Sequence, residues 1–249
     1  KASFIAIPTT FGSGSEASSA VAFTRNNEIK KTILVSHDFL PDKVILDPAL
    51  GSSANSAILF PSAFDALTHA IEGYVSIVDN QFLNPMAIMV IKEILKTLNN
   101  IRNENTDIKV LEALCYSAYY AGIIQNHCSV GLTHSFAHQL TSYGVSHGTG
   151  NAMFLNTVME YNATRSKKYK VLAEEIGFNS VKDLIDHISL IFKKSQICPN
   201  QNIIESIIKD KSVIIEGSMN DMTFRTNPVE LSKDDVETIF DNTMKKLVS

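Results

Sequence analysis

Residues 131–148, GLTHSFAHQLTSYGVSHG, hold three of the seven histidines in a chain of 249 residues. His134 and His138 are four positions apart, which places them on one face of a helix. His147 lies within the glycine-containing segment TSYGVSHG, residues 141–148, just beyond the point where we expect that helix to end. Histidine is a mediocre helix former, so helix propensity does not explain the cluster. Either the cluster is a chance grouping on a solvated face, or one site needs several neutral ring nitrogens.

A second pair with the same spacing lies upstream, in DALTHAIEGYVS, where Asp65 precedes His69 by four positions on another amphipathic helix. Two helices that each offer two ligands, together with His147 from a loop, can surround one divalent ion. Neutral imidazoles and one carboxylate suit Fe²⁺ or Zn²⁺. Spacing alone does not decide which of the five groups bind, because a lone histidine on a helix is more often a satisfied core or rim residue. That structural interpretation fits the other histidines: His37, His127 and His187.

Composition excludes several classes of protein. With 45% hydrophobic and 19% charged residues, the chain is globular and long enough for one large or two small domains. A net charge of -4 argues against binding to nucleic acids or to a membrane surface. No run of apolar residues is long enough to span a bilayer. The three cysteines form no CxxC pair, which favours a reducing, cytoplasmic location without a disulfide framework.

The pattern of elements changes near residue 55. The runs FIAIP, VAFT, KTILV and KVILD are typical of short strands, and FIAIP is typical of a buried one. The segments that follow have apolar residues at three- and four-residue spacing, and PSAFDALTHAIEGYVS opens on a proline-containing first turn. Ser232 is expected to cap the last helix. We predict a mostly α fold, with a β segment over residues 1–52 and a helical metal-binding domain over 53–249.

Three stretches resemble the iron-containing (group III) alcohol dehydrogenases. IPTTFGSGSEAS is similar to the Pro-Thr-Thr loop of that family and its Gly-x-Gly-Ser-Glu continuation. ILDPAL with DALTHAIEGYVS is similar to the first metal-binding segment, and residues 131–162 are similar to the second. The tail TNPVELSKDDVETIF also fits the ending of the family. The resemblance covers the whole chain and implies the back part of a two-domain dehydrogenase, an α/β nucleotide-binding domain followed by an all-α domain.

The resemblance also implies roles at the histidines. Asp65, His69, His134 and His147 would be four metal ligands, with Fe²⁺ as the ion and Zn²⁺ as the alternative. His138 would face the nicotinamide end of the site and would position the substrate or relay its proton. A Lewis-acidic ion would polarise the substrate oxygen while hydride passes to or from NAD or NADP. Substrates would be small alcohols or aldehydes.

Five more positions match residues that face the dinucleotide in the family. The resemblance implies that Thr9, Thr10 and Ser18 line the dinucleotide, that Lys31 reaches the nicotinamide ribose, and that Leu50 forms an apolar wall. Without the histidines, residues 9–18 would be interpreted as an ordinary Gly/Ser loop and Lys31 as a solvated surface charge.

The sequence departs from the family at several points. The loop between the second and third histidine is one residue shorter than usual, and Ser146 stands where a proline is common. Ala63 and Phe64 stand where the family has Gly-Met before the aspartate, and Phe64 is expected to narrow the pocket. The glycine-rich diphosphate loop of the family has no counterpart in this chain. We therefore expect the strands near residues 3–8 and 44–46 to leave apolar surface uncovered and to favour a homo-oligomer or another chain as partner.

Two other functions compete with the dehydrogenase. An enzyme of the same architecture that resembles dehydroquinate synthase would catalyse different chemistry, although the paired Asp-x₃-His and His-x₃-His motifs argue against it. A non-catalytic, truncated metal-binding or oligomerisation fragment is favoured by the lack of a diphosphate loop. Activity with NAD-linked alcohols would separate these alternatives.

Overall fold

The structure is a computed structural model that describes the backbone of residues 3–24 and 31–248. The side chains at positions 24, 31 and 32 lie outside the described part. Within these ranges, four short strands precede ten α-helices, which confirms the predicted mostly α fold. The strands are β1 Ile5–Ala6, β2 Ala20–Thr24, β3 Lys31–Val35 and β4 Lys43–Val44, and the helices are α1 Ser56–Val75, α2 Asn84–Leu98, α3 Ile108–Cys128, α4 Leu132–Leu140, α5 His147–Ala163, α6 Lys168–Ile176, α7 Val181–Ser195, α8 Gln201–Lys209, α9 Lys211–Met219 and α10 Lys233–Val248.

The strands form two separate pairs. β1 runs parallel to β4, and β2 forms an antiparallel hairpin with β3 in which Ala20 lies opposite Val35. The prediction that FIAIP is buried is wrong for this chain, because Phe4 is 51% and Ile5 is 47% exposed. β1 and β4 make only a two-stranded sheet among the described residues, so apolar side chains stay open, as at Ile45. The uncovered surface expected near these strands is present.

α1 carries much of the site and differs from its sequence-based prediction at one point. The helix begins at Ser56, so Pro61 lies inside it and not in its first turn. A proline this near the start of a helix removes one intrahelical hydrogen bond. Its ring also fixes a helical φ, and the helix therefore continues through it. Buried Asp65, His69 and Glu72 interrupt its apolar sequence. None of the described helices is both long and apolar enough to cross a membrane.

The last helix starts as the sequence predicts. Ser232 Oγ accepts a hydrogen bond from the Asp235 amide at 3.2 Å, and Asp235 Oδ2 accepts one from the Ser232 amide at 2.8 Å. This reciprocal arrangement satisfies two backbone N–H groups at the helix start.

α5 is the central helix, because it lies between two hydrophobic clusters. Its residues Ala152, Leu155 and Met159 join a cluster built mainly from α1, α2, α3, α6 and α7. Residues 153, 154 and 158 join a second cluster with α4, α8, α9 and α10. A helix buried on both sides needs no polar face, and its position fixes the first turn of α5 beside α1 and α4.

Two glycines place the serine-rich loop of residues 13–19 directly on α3. Gly14 has φ of 56°, a conformation that glycine adopts at little cost. A Cβ on Gly122 would lie 2.4 Å from the carbonyl oxygen of Gly14, so a larger residue would separate the loop from the helix. The loop therefore reaches the end of α3 that borders the histidine cluster.

Candidate metal centre

Three helices bring together one aspartate and three histidines. Asp65 and His69 project from the middle of α1, His134 from α4 and His147 from the first residue of α5. One ligand atom from each of these four residues lies within 4.8 Å of the other three. His147 was predicted in a loop, but it begins α5, because Ser146 caps that helix and its side chain accepts a hydrogen bond from the Thr149 amide at 3.3 Å.

The distances between these groups suit a bound ion. Asp65 Oδ1 lies 3.4 Å from Nε2 of His147, 3.6 Å from Nε2 of His134 and 3.8 Å from Nε2 of His69. Ligands about 2.0–2.2 Å from a tetrahedral ion are separated by about 3.3–3.6 Å. Three neutral nitrogens and one carboxylate are also a donor set that Fe²⁺ and Zn²⁺ accept. The four residues therefore fit a small divalent cation with only slight adjustment.

A second carboxylate, Glu72, orients His134 from behind. Its Oε2 accepts a hydrogen bond of 2.7 Å from His134 Nδ1, which leaves Nε2 of the same ring to face the cluster. The amides of Gly131 and Thr133 also donate to Glu72, each at 2.8 Å. Both side chains are buried. A carboxylate on the far nitrogen of a ligand histidine fixes its tautomer and raises its basicity.

The amide of Asn151 completes the surroundings of Asp65. Its Nδ2 donates to Asp65 Oδ1 at 2.8 Å and lies 3.2 Å from His134 Nε2. Its Oδ1 is buried without a hydrogen-bond partner among the described residues, and so are the Nδ1 atoms of His69 and His147. Unpaired buried polar atoms at this density mark a site organised for something other than stability.

Burial and the carboxylates give the histidines different charges. Burial lowers the pKa of His69 to about 4 and that of His147 to about 3, although Asp65 partly opposes both changes. Burial also acts to lower the pKa of His134, but Asp65 and Glu72 more than offset it and raise the pKa to about 9. Before a metal ion binds, His134 is therefore cationic near neutral pH, whereas His69 and His147 are neutral.

Metal affinity should depend on pH with a sign set by His134. Between about pH 4 and 9, a bound metal replaces the proton on His134 Nε2, so the affinity is expected to rise about tenfold per pH unit. Above about pH 9 the dependence should level off, and below about pH 4 it should steepen as His69 also binds a proton. Calorimetry in buffers of different ionisation enthalpy measures the protons released. Release of no proton at pH 7 would contradict this assignment.

His138 lies beside the cluster but outside it. Its Nδ1 is 2.8 Å from Asp221 Oδ2, and its ring stacks on that of His147 with centroids 5.2 Å apart. Because Nδ1–H donates to the carboxylate, Nε2 is the nitrogen that remains available as an acceptor in this tautomer. His138 is thus held in place by a partner that is separate from the four clustered residues.

The cluster opens into a cleft of about 780 Å³. Its lining comes from the serine-rich loop, the β2–β3 hairpin, the end of α3 and the 3-10 helix Met222–Thr226. All four clustered residues and His138 line it. Such a volume accommodates a small molecule together with part of a cofactor.

The other predicted site residues lie in different surroundings. Ser18 lines the cleft, whereas Thr9 and Thr10 are exposed on the loop after β1 and are not among its lining residues. Leu50 is 42% exposed and also lies outside the lining. The side chain of Lys31 lies outside the described residues. The cofactor-facing roles of these five residues stay predictions.

Sequence analysis did not identify Glu72, Asn151 or Asp221 as site residues. Glu72 could have been found, because it follows His69 by three positions on the face of α1 that carries both predicted ligands. Asn151 follows His147 by four positions, the same spacing as the predicted pairs, but an amide gave no reason to count it among the ligands. Asp221 carries no comparable spacing signal.

Comparisons with known proteins place the chain among named relatives. Residues 60–244 match the model of the Fe-containing alcohol dehydrogenase family, C-terminal, and residues 1–48 match that of iron-containing alcohol dehydrogenase. An alcohol dehydrogenase of Thermococcus barophilus is 32% identical over 96% of this chain and 64% of its own length. An NADPH-dependent butanol dehydrogenase of Clostridium saccharobutylicum is 29% identical over 97% of this chain and 65% of its own.

A solved structure shows the same fold. The iron-containing alcohol dehydrogenase of Thermococcus thioreducens superposes with a TM-score of 0.88 at 30% identity, over 97% of this chain and 64% of its own. The chain thus spans a little under two thirds of these relatives, with the helices and the histidine cluster inside the shared part.

Proposed function

The chain belongs to the iron-containing alcohol dehydrogenase family, and on that premise we propose that it supplies the metal-binding part of an enzyme that transfers hydride between an alcohol and NAD(P). The observation that carries the proposal is the convergence of Asp65, His69, His134 and His147 at one wall of an open cleft. A cluster for structural zinc is normally closed to solvent, whereas a catalytic one keeps access for substrate.

The residues of the chain perform separate tasks in this proposal. Asp65 and the three histidines hold Fe²⁺, with Zn²⁺ as the alternative ion, and Glu72 fixes the orientation of His134. The ion, when bound, supplies a Lewis acid that polarises the substrate oxygen. His138, oriented by Asp221, keeps Nε2 free to receive the alcohol proton or to hold the substrate oxygen. Ser18 lines the cleft on the side proposed for the nicotinamide cofactor.

Removal and return of the metal ion tests the dehydrogenase proposal. The complete protein, treated with a chelator and reloaded with Fe²⁺, should oxidise small primary alcohols with NAD⁺ or NADP⁺ only after reloading. A protein that binds one equivalent of metal but oxidises no alcohol would support the non-catalytic alternative.

Three further properties stay proposals drawn from the sequence and the relatives. They are small alcohols or aldehydes as substrates, a homo-oligomeric state and a cytoplasmic location.

Replacing His138 with Ala separates the metal site from the proton-handling site. Turnover should fall by about 100-fold or more, in the range that a positioned acid–base group contributes. Iron content should stay near one per chain, because His138 is outside the cluster. His187→Ala, at a histidine that packs on Phe178, is the matched control. Loss of iron from the His138 variant would mean that His134 and His138 have exchanged roles.

A further inference from the structure

The cleft beside the histidine cluster contains a cation that pairs with no acidic residue in the described part of the chain. Arg225 belongs to the 3-10 helix Met222–Thr226, lines the cleft and is exposed. Its guanidinium has no hydrogen bond or ion pair with any residue of the described ranges. Guanidinium groups carry five N–H donors and no acceptor, so this side chain can bind only acceptors.

Asn126, at the end of α3, offers a second donor to the same cleft. Its Oδ1 accepts hydrogen bonds from both the amide and the hydroxyl of Ser19, each at 2.8 Å. These two bonds fix the orientation of the amide, so its Nδ2 atom is the one that can donate to a ligand. Nδ2 donates to no acceptor among the described residues.

The two donors flank a direct contact between their elements. Thr226, next to Arg225, donates through Oγ1 to Ser129 Oγ at 3.1 Å, and Ser129 lies three residues after Asn126. Asp221, which orients His138, caps the start of the 3-10 helix that carries Arg225. The donors therefore lie on two neighbouring elements, one of which begins at the residue that orients His138.

Negatively charged acceptors are scarce around them. Asp65 is the one carboxylate among the described lining residues, and its Oδ1 faces the cluster histidines and Asn151. We propose that Arg225 and Asn126 bind a carboxylate or a similar anionic group of the substrate, at a distance from its reacting carbon. Planar guanidinium groups match carboxylates with two parallel hydrogen bonds, which gives both affinity and orientation. This inference rests on the proposed function and makes the substrate an acidic alcohol or aldehyde.

Kinetics with matched aldehydes test the proposal in the complete, iron-loaded protein. A series of ω-oxo carboxylates of increasing length is compared with neutral aldehydes of the same length. The best carboxylate should exceed its neutral match by about tenfold or more in kcat/KM, as expected for a charge-assisted hydrogen bond. Arg225→Gln should remove that preference through KM, whereas Arg102→Gln, at an exposed arginine away from the cleft, should keep it.

Asn126→Asp is the sharper variant, because it preserves the shape of the side chain and an oxygen acceptor for Ser19. It replaces the free donor with a negative charge, so it should weaken carboxylate substrates more than neutral ones. A wild-type protein that oxidises or reduces neutral substrates equally well would overturn the acidic substrate while the dehydrogenase stands. If both variants raised the KM of the dinucleotide and affected all aldehydes alike, the anion would be a cofactor phosphate and the proposal would be wrong.

Binding measured without turnover separates the two proposals. Calorimetric titration of the iron-loaded protein with an ω-hydroxy carboxylate should give an affinity that Arg225→Gln lowers by about tenfold. If that affinity is present in a protein without dehydrogenase activity, the anion site stands and the proposed function fails. Equal affinity in the wild type and in both variants would overturn the anion site.

Discussion

Replacing Asp65 with Asn is expected to remove metal from the site and to abolish turnover. The carboxylate oxygen is the atom that all three histidine nitrogens approach, at 3.4 to 3.8 Å. Asparagine keeps the shape but provides a neutral amide, so a dication bound there would lose its one anionic ligand. The metal affinity should fall by more than the roughly 10- to 100-fold that loss of an outer partner causes.

Metal content after dialysis, the metal affinity and the rate with NAD(P)⁺ measure this effect, and far-ultraviolet circular dichroism checks the fold. Asp186→Asn is the control, because Asp186 is exposed and pairs with Lys182 along α7. Stoichiometric iron at wild-type affinity in the Asp65 variant would refute the assignment of this cluster as the metal centre.

Glu72→Gln provides a graded comparison with Asp65→Asn. Three donors point at the Glu72 carboxylate, from Gly131, Thr133 and His134. A glutamine amide can accept through one oxygen only, so at least one donor would face its NH₂ group. The loss of metal affinity should stay within the range of about 10- to 100-fold and be smaller than that of Asp65→Asn. Equal losses in two variants with unchanged circular dichroism would contradict the indirect role of Glu72 through the orientation of His134.

Helical spacing alone predicted two pairs of candidate ligands, Asp65 with His69 and His134 with His138, because residues four apart share one face of a helix. Spacing described the pairs within α1 and α4, but only the resemblance to a family separated His134 and His147 from His138. The structure supplies a physical reason for that separation. His138 turns its Nδ1 to Asp221, a residue that follows it by 83 positions and has no periodic relation to it.

The parts that the sequence did not predict depend on long-range packing. α5 shows little amphipathic pattern because it is buried against two clusters, so its sequence does not indicate which face meets α1. The exposure of β1 likewise depends on which elements cover it, and an apolar run looks the same whether covered or open. Asn126 appears in the sequence as an ordinary polar residue, and its free donor is defined only by the bonds from Ser19.

Replacing Gly148 with Ala should push α5 away from α1 and disturb the metal centre at the same time. A Cβ at this position would lie 2.0 Å from the carbonyl oxygen of Pro61 and 2.5 Å from its carbonyl carbon. Both atoms belong to the backbone of α1, one turn before Asp65, so no side-chain rotation relieves the clash. The helices must separate, and His147, the neighbour of Gly148, must move away from Asp65.

Overpacking of a rigid helix contact should lower the free energy of unfolding by about 3 kcal/mol or more. For a chain of this size, that change corresponds to a fall in Tm of about 6–12 °C, and it should come with weaker metal binding. Gly144→Ala is the matched control, because Gly144 has φ of 76° but nothing within 4 Å of its added Cβ. Its cost is limited to the backbone strain of about 1–2 kcal/mol that a left-handed conformation imposes on alanine. Calorimetric melting with and without Fe²⁺ measures both effects. If the two variants had the same Tm and bound iron equally well, the contact of Gly148 with Pro61 would not be what holds His147 in place.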